Sequence, residues 1–265
     1  MIYYINLDRS PERRSHMEAA FARAGLDATR ISGVDGFAMS EEERRRWNPP
    51  GRGRLQLPGE IGCFLSHRRA WEEFLATDAP HAVIMEDDAV LSSHAGEVLR
   101  RLPEWSKGTH IVQLEVREVG RRLVGLGGRR IGTGHRLRRL HDVVLGMAGY
   151  VISREAAEVA LAQSETLHDP VDRFVFDDER GPFGAYRRHV VLPGIIIQAD
   201  RQAYSEVSED VKSSIIGEVD ARAGRNAPKK PGGSRLSLAT RKSEADRLWT
   251  EVRYFARYTK MRFKP

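Results

Sequence analysis

The stretch that most constrains how this chain can fold is HAVIMEDDAVL, residues 81–91. Ala82-Val83-Ile84-Met85 is an unbroken apolar run, which suits a strand buried on both faces of a parallel sheet better than a half-exposed one. It ends abruptly in Glu86, Asp87 and Asp88. Three carboxylates at the carboxyl end of such a strand stand at the edge of an open α/β sheet where ligands bind. In extended geometry Glu86 and Asp88 point one way and Asp87 the other, so one pair can converge on a shared partner. Crowded carboxylates raise one another's pKa unless a cation compensates, and an all-oxygen donor set favours a hard ion such as Mg²⁺ or Mn²⁺. The plain alternative is an acidic turn that opens a solvated loop.

A chain of 265 residues can build one large α/β domain or two small ones. No stretch approaches the ~20 apolar residues of a membrane span, and MIYYINL begins without a basic leader, so the expectation is a cytoplasmic protein. The single Cys63 cannot close an internal disulfide and reads as structural on an apolar helix face. The net charge of +6 is unevenly spread: residues 221–265 hold 13 Lys or Arg against 3 acids, which leaves the remainder mildly acidic. Such a tail can meet nucleic acid, anionic lipid or solvent.

Ile2 to Ile5 reads as a first strand, followed by a helix with Ser10 as cap and Pro11 in its first turn, stopped at Gly25. Asn6, Asp8, Arg9, Arg13 and Arg14 gather where the strand gives way to the helix, a place suited to an anion. Thr29 to Ser32 is a second strand and Glu41 to Trp47 a charged helix, with a Pro/Gly loop after it. In GEIGCFLSHRRAWEEFL, residues Ile61, Phe64, Leu65, Trp71, Phe74 and Leu75 form one apolar stripe. Glu60, His67 and Arg68 fall within that stripe and predict a pocket wall, because polar groups on a buried face need partners. A short helix over Gly96 to Leu102 and a strand over His110 to Leu114 follow, and the Arg/Gly-rich Val116 to Arg139 predicts hairpin or loop structure over the sheet. VVLGMAGYVI is extended, with Gly146, Ala148 and Gly149 allowing close approach. Ser153 caps the next helix. Pro170 then sets Asp172 in the first turn of a short helix. Val190 to Leu192 and Ile195 to Gln198 are a final extended pair. There is no internal repeat, Walker A loop, GxSxG elbow, zinc-like Cys/His spacing or dinucleotide fingerprint.

Taken in order, INLDRSPERR, GEIGCFLSHRRAW, AVIMEDDAVL, GYVISREAAEVAL and PVD resemble bacterial glycosyltransferase family 25, over roughly residues 1–200. The resemblance implies a GT-A-like, Rossmann-type, mostly parallel sheet flanked by helices, to which the residues add a basic C-terminal helical tail. The domains expected are a catalytic one at 1–205 and a tail at 206–265. It also implies an inverting hexosyltransferase that moves a sugar, galactose first, from a UDP-sugar to a hydroxyl of a lipooligosaccharide or other glycan. Glu86 and Asp88 correspond to the family's metal motif, with Mn²⁺ or Mg²⁺ and Asp87 in support. Asn6, Arg9, Arg13, Glu60 and Arg68 are expected at the donor. Asp172 is the candidate base and His67 the reserve. A metal-dependent phosphohydrolase or nuclease and a non-catalytic sugar-nucleotide-binding protein are the competing classes. Leu248, Trp249, Val252, Phe255 and Ala256 recur at helical spacing beside basic residues, which predicts peripheral attachment to an anionic membrane face, the competing reading being a helix docked on the body with Asn226 to Gly233 as its linker. Nucleic acid is disfavoured as a partner.

Overall fold

The computed structural model describes residues 1–51, 53, 56–116, 122–177, 179–199 and 256–265. Strand β1 (Ile2–Asn6) leads into α1 (Pro11–Ala24), which Pro11 starts and Gly25 ends in the left-handed region at φ 61°. The Ser10 side chain caps no helical N–H; its carbonyl instead accepts from Asn6 Nδ2 at 3.0 Å. Next come β2 (Thr29–Ser32) and α2 (Glu41–Trp47), where Ser40 and Glu43 close a capping box. Helix α3 (Pro58–Leu75) precedes β3 (His81–Glu86) and the short β4 (Ala89–Leu91). Helices α4 (Ala95–Arg100) and α5 (Leu102–Trp105) then lead to β5 (Ile111–Gln113). After β6 (Arg122–Gly125), β7 (Arg129–Gly132) and β8 (His135–Arg139) comes β9 (Gly149–Ser153). Helix α6 (Arg154–Ala162) starts on Ser153 Oγ, which accepts from the Ala156 amide at 3.2 Å. The described chain closes with α7 (Val171–Phe176), β10 (Arg188–Leu192), β11 (Ile196–Gln198) and β12 (Ala256–Thr259).

Eight strands form one sheet in the order β2-β1-β3-β9-β5-β10-β8-β7. All but β9 and β8 run in one direction, so the sheet is mixed but predominantly parallel in sense, as expected. Both faces are covered. Tyr3, Ile5, Ala82, Ile84, Tyr150 and Ile152 pack under α3, α6 and α7. The alternate residues Tyr4, Val83, Met85 and Val151 pack under α1, α4 and α5. Ala82 to Met85 are wholly inaccessible, which is why this strand carries no polar alternation.

Three expectations change. The Arg/Gly-rich region holds the expected hairpin, but β7–β8 extends the sheet edge, because β8 pairs with β10, while β6 pairs with β12 and packs Val124 with Val190 of β10. Strands β10 and β11 do not pair with each other: β11 leaves the sheet and joins β4, where Ile196 packs on the bare backbone of Gly149. The chain end is also not helical from Ala256 onward. β12 pairs antiparallel with β6, and Met261 and Phe263 bury against Val124, Leu140 and Val190. Alternate burial, with Met261 and Phe263 inside and Arg262 outside, follows a two-residue period. Leu248 to Phe255, the rest of the anticipated amphipathic helix, lie outside the described residues. None of the described helices is long and apolar enough to cross a membrane.

Candidate functional site

Parallel pairing sets Ile5 opposite Glu86 and Asn6 opposite Ser32, while the antiparallel β9 starts opposite Met85. The carboxyl ends of β1, β2 and β3 and the start of β9 therefore meet at one sheet edge, the edge at which open α/β sheets bind ligands. The first turns of α3 and α7 reach the same edge.

Two pockets open there. The inner one, about 180 Å³, is lined by Asn6, Arg9, Arg13, His67 and all three acids, with Asp35 and Phe37 on its outer wall. The outer one, about 760 Å³, is lined by Glu60, Gly146, His168, Asp169, Asp172 and Arg180. Gly59, Cys63, Glu86 and Gln198 line both, so the two pockets meet at the end of β3.

The three acids diverge. β3 ends at Glu86 and the chain turns at Asp87 and Asp88 to enter β4, so the strand alternation that would set Glu86 and Asp88 on one face stops at Glu86 and never reaches Asp88. Glu86 turns toward α3, where Cys63 Sγ lies 3.3 Å and His67 Nε2 3.5 Å from its Oε1. Asp87 turns toward α1: Arg13 Nη2 lies 2.7 Å from its Oδ1 and Asn6 Nδ2 donates to its Oδ2 at 2.7 Å. Asp88 meets Gln198 Nε2 at 3.5 Å and Arg13 at 3.8 Å, and its buried Oδ1 has no hydrogen-bond partner. Burial, then the charge of Glu86, drives the Asp88 carboxyl well above its ordinary pKa, against the pull of Arg13. Burial also pushes Glu86 upward, but the hydrogen bonds of His67 and Cys63, with the charge of Arg13, bring it below the ordinary value.

These contacts sort the residues expected at the donor. Asn6 is 1% exposed; its amide bonds the Ser10 carbonyl and Asp87, and its oxygen accepts from Arg30 Nε at 3.0 Å. It is the joint between β1, α1, β2 and the acidic turn, and it lines the inner pocket. Arg13 is likewise held by Asp87. Arg9, half exposed and 2.7 Å from Asp35, remains at the inner pocket's rim. Glu60 accepts from the Leu57 amide at 2.8 Å and so caps its own helix while lining the outer pocket. Arg68 departs from the anticipated pocket wall: its Nη1 donates to Leu161 O and Ser164 Oγ, and its guanidinium lies over Trp47. The apolar stripe of α3 is wide enough to face α6 and α2 along one flank and the site along the other, and Arg68 lies on the former.

His67 is fully buried between Tyr150 and Glu86. Trp71 Nε1 can only donate, so the Tyr150 oxygen accepts from it at 2.8 Å. The Tyr150 hydroxyl then donates to His67 Nδ1, 3.1 Å away, leaving the imidazole proton on Nε2 toward Glu86. Tyr150, Trp71 and Gln198 went unnoticed in the sequence because their partners lie 83, 79 and 110 residues away. Cys63 carried one legible signal, its four-residue offset from His67 on one helix face. Among the described residues, Cys63, His67 and Glu86 form the group of potential ligands whose atoms lie within 4.8 Å of one another. Asp172 holds its place in the first turn of α7, with Oδ1 accepting from the Arg173 amide at 2.8 Å.

An α/β sheet with an acid-rich pocket at its carboxyl edge is the class of protein these observations define. Residues 1–122 match the family model of glycosyltransferase family 25 (LPS biosynthesis protein). It is 39% identical over 95 residues to a glycosyltransferase 25 family member of Aedes aegypti, covering 33% of this chain and 16% of that one. Similarity to procollagen galactosyltransferase 2 of Mus musculus extends over 80% of this chain and 33% of that one at 25% identity. The inactive glycosyltransferase 25 family member 3 of Homo sapiens is 27% identical over 71% of this chain and 33% of its own length. The chain thus spans a third or less of these relatives. A crystal structure of a glycosyltransferase involved in glycosylation of the major capsid of PBCV-1 aligns with 80% of this chain and 98% of its own, at 9% identity and a TM-score of 0.39.

Proposed function

We propose that this chain is an inverting glycosyltransferase that moves a hexose, galactose first, from a UDP-sugar to a hydroxyl of a lipooligosaccharide or other glycan. The observation that carries the reading is the pair of pockets meeting at Glu86, one walled by acids and Arg9 and the other by Asp172 and Asp169. A two-substrate transfer needs two adjoining compartments with charge compensation where they join.

The donor set fits a hard divalent ion. Asp88 Oδ1 is buried without a hydrogen-bond partner, and a carboxylate in that position is stabilised by a cation. Glu86 and Asp88 would hold Mn²⁺ or Mg²⁺, which would supply Lewis-acid stabilisation to the diphosphate leaving group. Arg13 and Asn6 hold Asp87 and so fix the turn that carries Asp88 beyond the end of β3. Arg9 meets phosphate at the rim, and Phe37, 47% exposed on the pocket wall, offers a face for the base. Across the junction Asp172 takes the proton of the attacking hydroxyl. The new carbon–oxygen bond forms as the bond from the anomeric carbon to the diphosphate oxygen breaks, with its electron pair leaving on UDP. His67 orients Glu86.

The reading includes peripheral attachment at the inner face of a membrane, where a lipid-linked acceptor would give the basic tail a purpose. Turnover of UDP-galactose, UDP-glucose and UDP-N-acetylglucosamine, each with and without glycan acceptors and with Mn²⁺ or chelator, tests the whole. Acceptor-dependent release of UDP supports it. Donor binding with no turnover across the acceptor panel would place this chain with non-catalytic members such as the human relative.

A further inference from the structure

Helix α3 places Cys63 and His67 four residues apart on one face, and the neighbouring β3 ends with Glu86 against them. Cys63 Sγ and His67 Nε2 lie 3.3 and 3.5 Å from the same Glu86 oxygen. In a tetrahedral zinc site with bonds of ~2.3 Å to sulfur and ~2.0–2.1 Å to nitrogen or oxygen, neighbouring ligand atoms are roughly 3.3–3.7 Å apart. Both spacings to Glu86 already match, and all three ligand atoms lie within 4.8 Å of one another. Cys63 and Glu86 line both pockets, which gives an entry path and leaves a fourth position open.

We propose that Cys63, His67 and Glu86 form a second metal site, selective for a borderline-soft ion such as Zn²⁺, that overlaps the acidic site through Glu86. Sulfur and imidazole nitrogen prefer Zn²⁺, whereas Mg²⁺ and Mn²⁺ prefer the oxygens of Glu86 and Asp88. Binding forms a zinc–sulfur bond and releases the Cys63 thiol proton to solvent. His67 gives up no net proton: its ring hydrogen moves from Nε2 to Nδ1, so that Nε2 ligates the ion and Nδ1–H donates to Tyr150. Zinc shares Glu86 with the acidic site and draws its Oε1 toward Cys63 and His67, so zinc is expected to antagonise the reaction that the acidic site supports, a consequence that rests on the proposed transferase reading.

Cobalt replaces zinc as an optical probe in the reduced, chelator-treated full chain. The expected result is a sulfur-to-cobalt charge-transfer band that Zn²⁺ displaces and that persists in Asp88→Asn but disappears in Cys63→Ser. In parallel, Zn²⁺ but not Mg²⁺ should slow maleimide labelling of Cys63 in the unmodified protein. Absence of the band in wild type, its survival in Cys63→Ser, or equal protection by Mg²⁺ overturns the site. Neither measurement depends on turnover, so the metal site stands or falls independently of the transferase reading. Zinc inhibition of Mn²⁺-supported transfer, weakened at least tenfold in Cys63→Ser relative to that variant's own zinc-free rate, establishes the antagonism; equal inhibition of both proteins overturns it.

Discussion

The Arg13 guanidinium lies 2.7 Å from Asp87 and 3.8 Å from Asp88, so one buried cation serves two of three adjacent acids. Asp87 has the closer contact, and Asp88 keeps a buried oxygen without a partner. Removing Arg13 would leave the Asp87 charge uncompensated on a side chain only 8% exposed. Arg13→Met should therefore cost about 3–5 kcal/mol of stability, and adding Asp87→Leu should return part of that loss. Urea unfolding of both variants provides the measurement; two independent, additive losses would show that the pair is not coupled.

Asp88 predicts an unusual dependence of stability on pH. Its folded pKa is raised well above the ordinary 3.8, so folding favours the protonated acid. That contribution is complete below pH 3.8 and fades as pH rises through the raised folded value. In chelator, Asp88→Asn should hold or raise the melting temperature, with its advantage over wild type growing toward neutral pH. Mn²⁺ should stabilise wild type and do so less for the variant, while turnover in the variant should be lost. Thermal melts across pH, with and without metal, check both directions; an Asp88→Asn protein that melts below wild type at neutral pH in chelator would contradict the account.

Asp172→Asn preserves shape and the hydrogen bond from the Arg173 amide while removing the proton acceptor. The kcat should fall by roughly 10²–10⁴ with donor affinity retained. Steady-state kinetics beside calorimetry with UDP separates the two. Normal turnover would transfer the role to Asp169 or His67, and a collapse in UDP affinity would place Asp172 at the donor.

Tyr150→Phe deletes the hydroxyl shared by Trp71 and His67. The buried Trp71 N–H loses its acceptor, at a cost of about 1–3 kcal/mol, and His67 Nδ1 loses the donor that sets its tautomer. Imidazole nitrogen shifts in the NMR spectrum should move from one tautomer toward a mixture. An unchanged tautomer would mean that Glu86 alone orients His67.

The end of the chain needs a test that spares β12. Truncation would remove Met261 and Phe263 from the core, so a membrane test by deletion confounds attachment with unfolding. Reversing the exposed Arg257, Lys260 and Arg262 to Glu should keep the melting temperature near wild type and weaken sedimentation with anionic vesicles at low salt several-fold. Undiminished binding would remove these residues from any membrane contact.

The chain's local chemistry determined most of its elements. Pro11 and Gly25 bracket α1, Ser153 starts α6, and the unbroken run from Ala82 to Met85 announced a strand covered on both faces, because short-range sterics and burial act within a few residues of sequence. The same run led to the right sheet edge and to the acids at its end. Where each acid turned was not legible, since alternation holds only while the strand continues and it stops at Glu86. Tertiary structure alone decided that Asp87 belongs to Asn6 and Arg13, that Arg68 serves α6 instead of the site, and that β11 pairs with β4. It also turned Cys63, which read as a structural thiol, toward His67 and Glu86. A side chain's partners depend on which distant strand end arrives beside it, and no local period or propensity encodes that arrival.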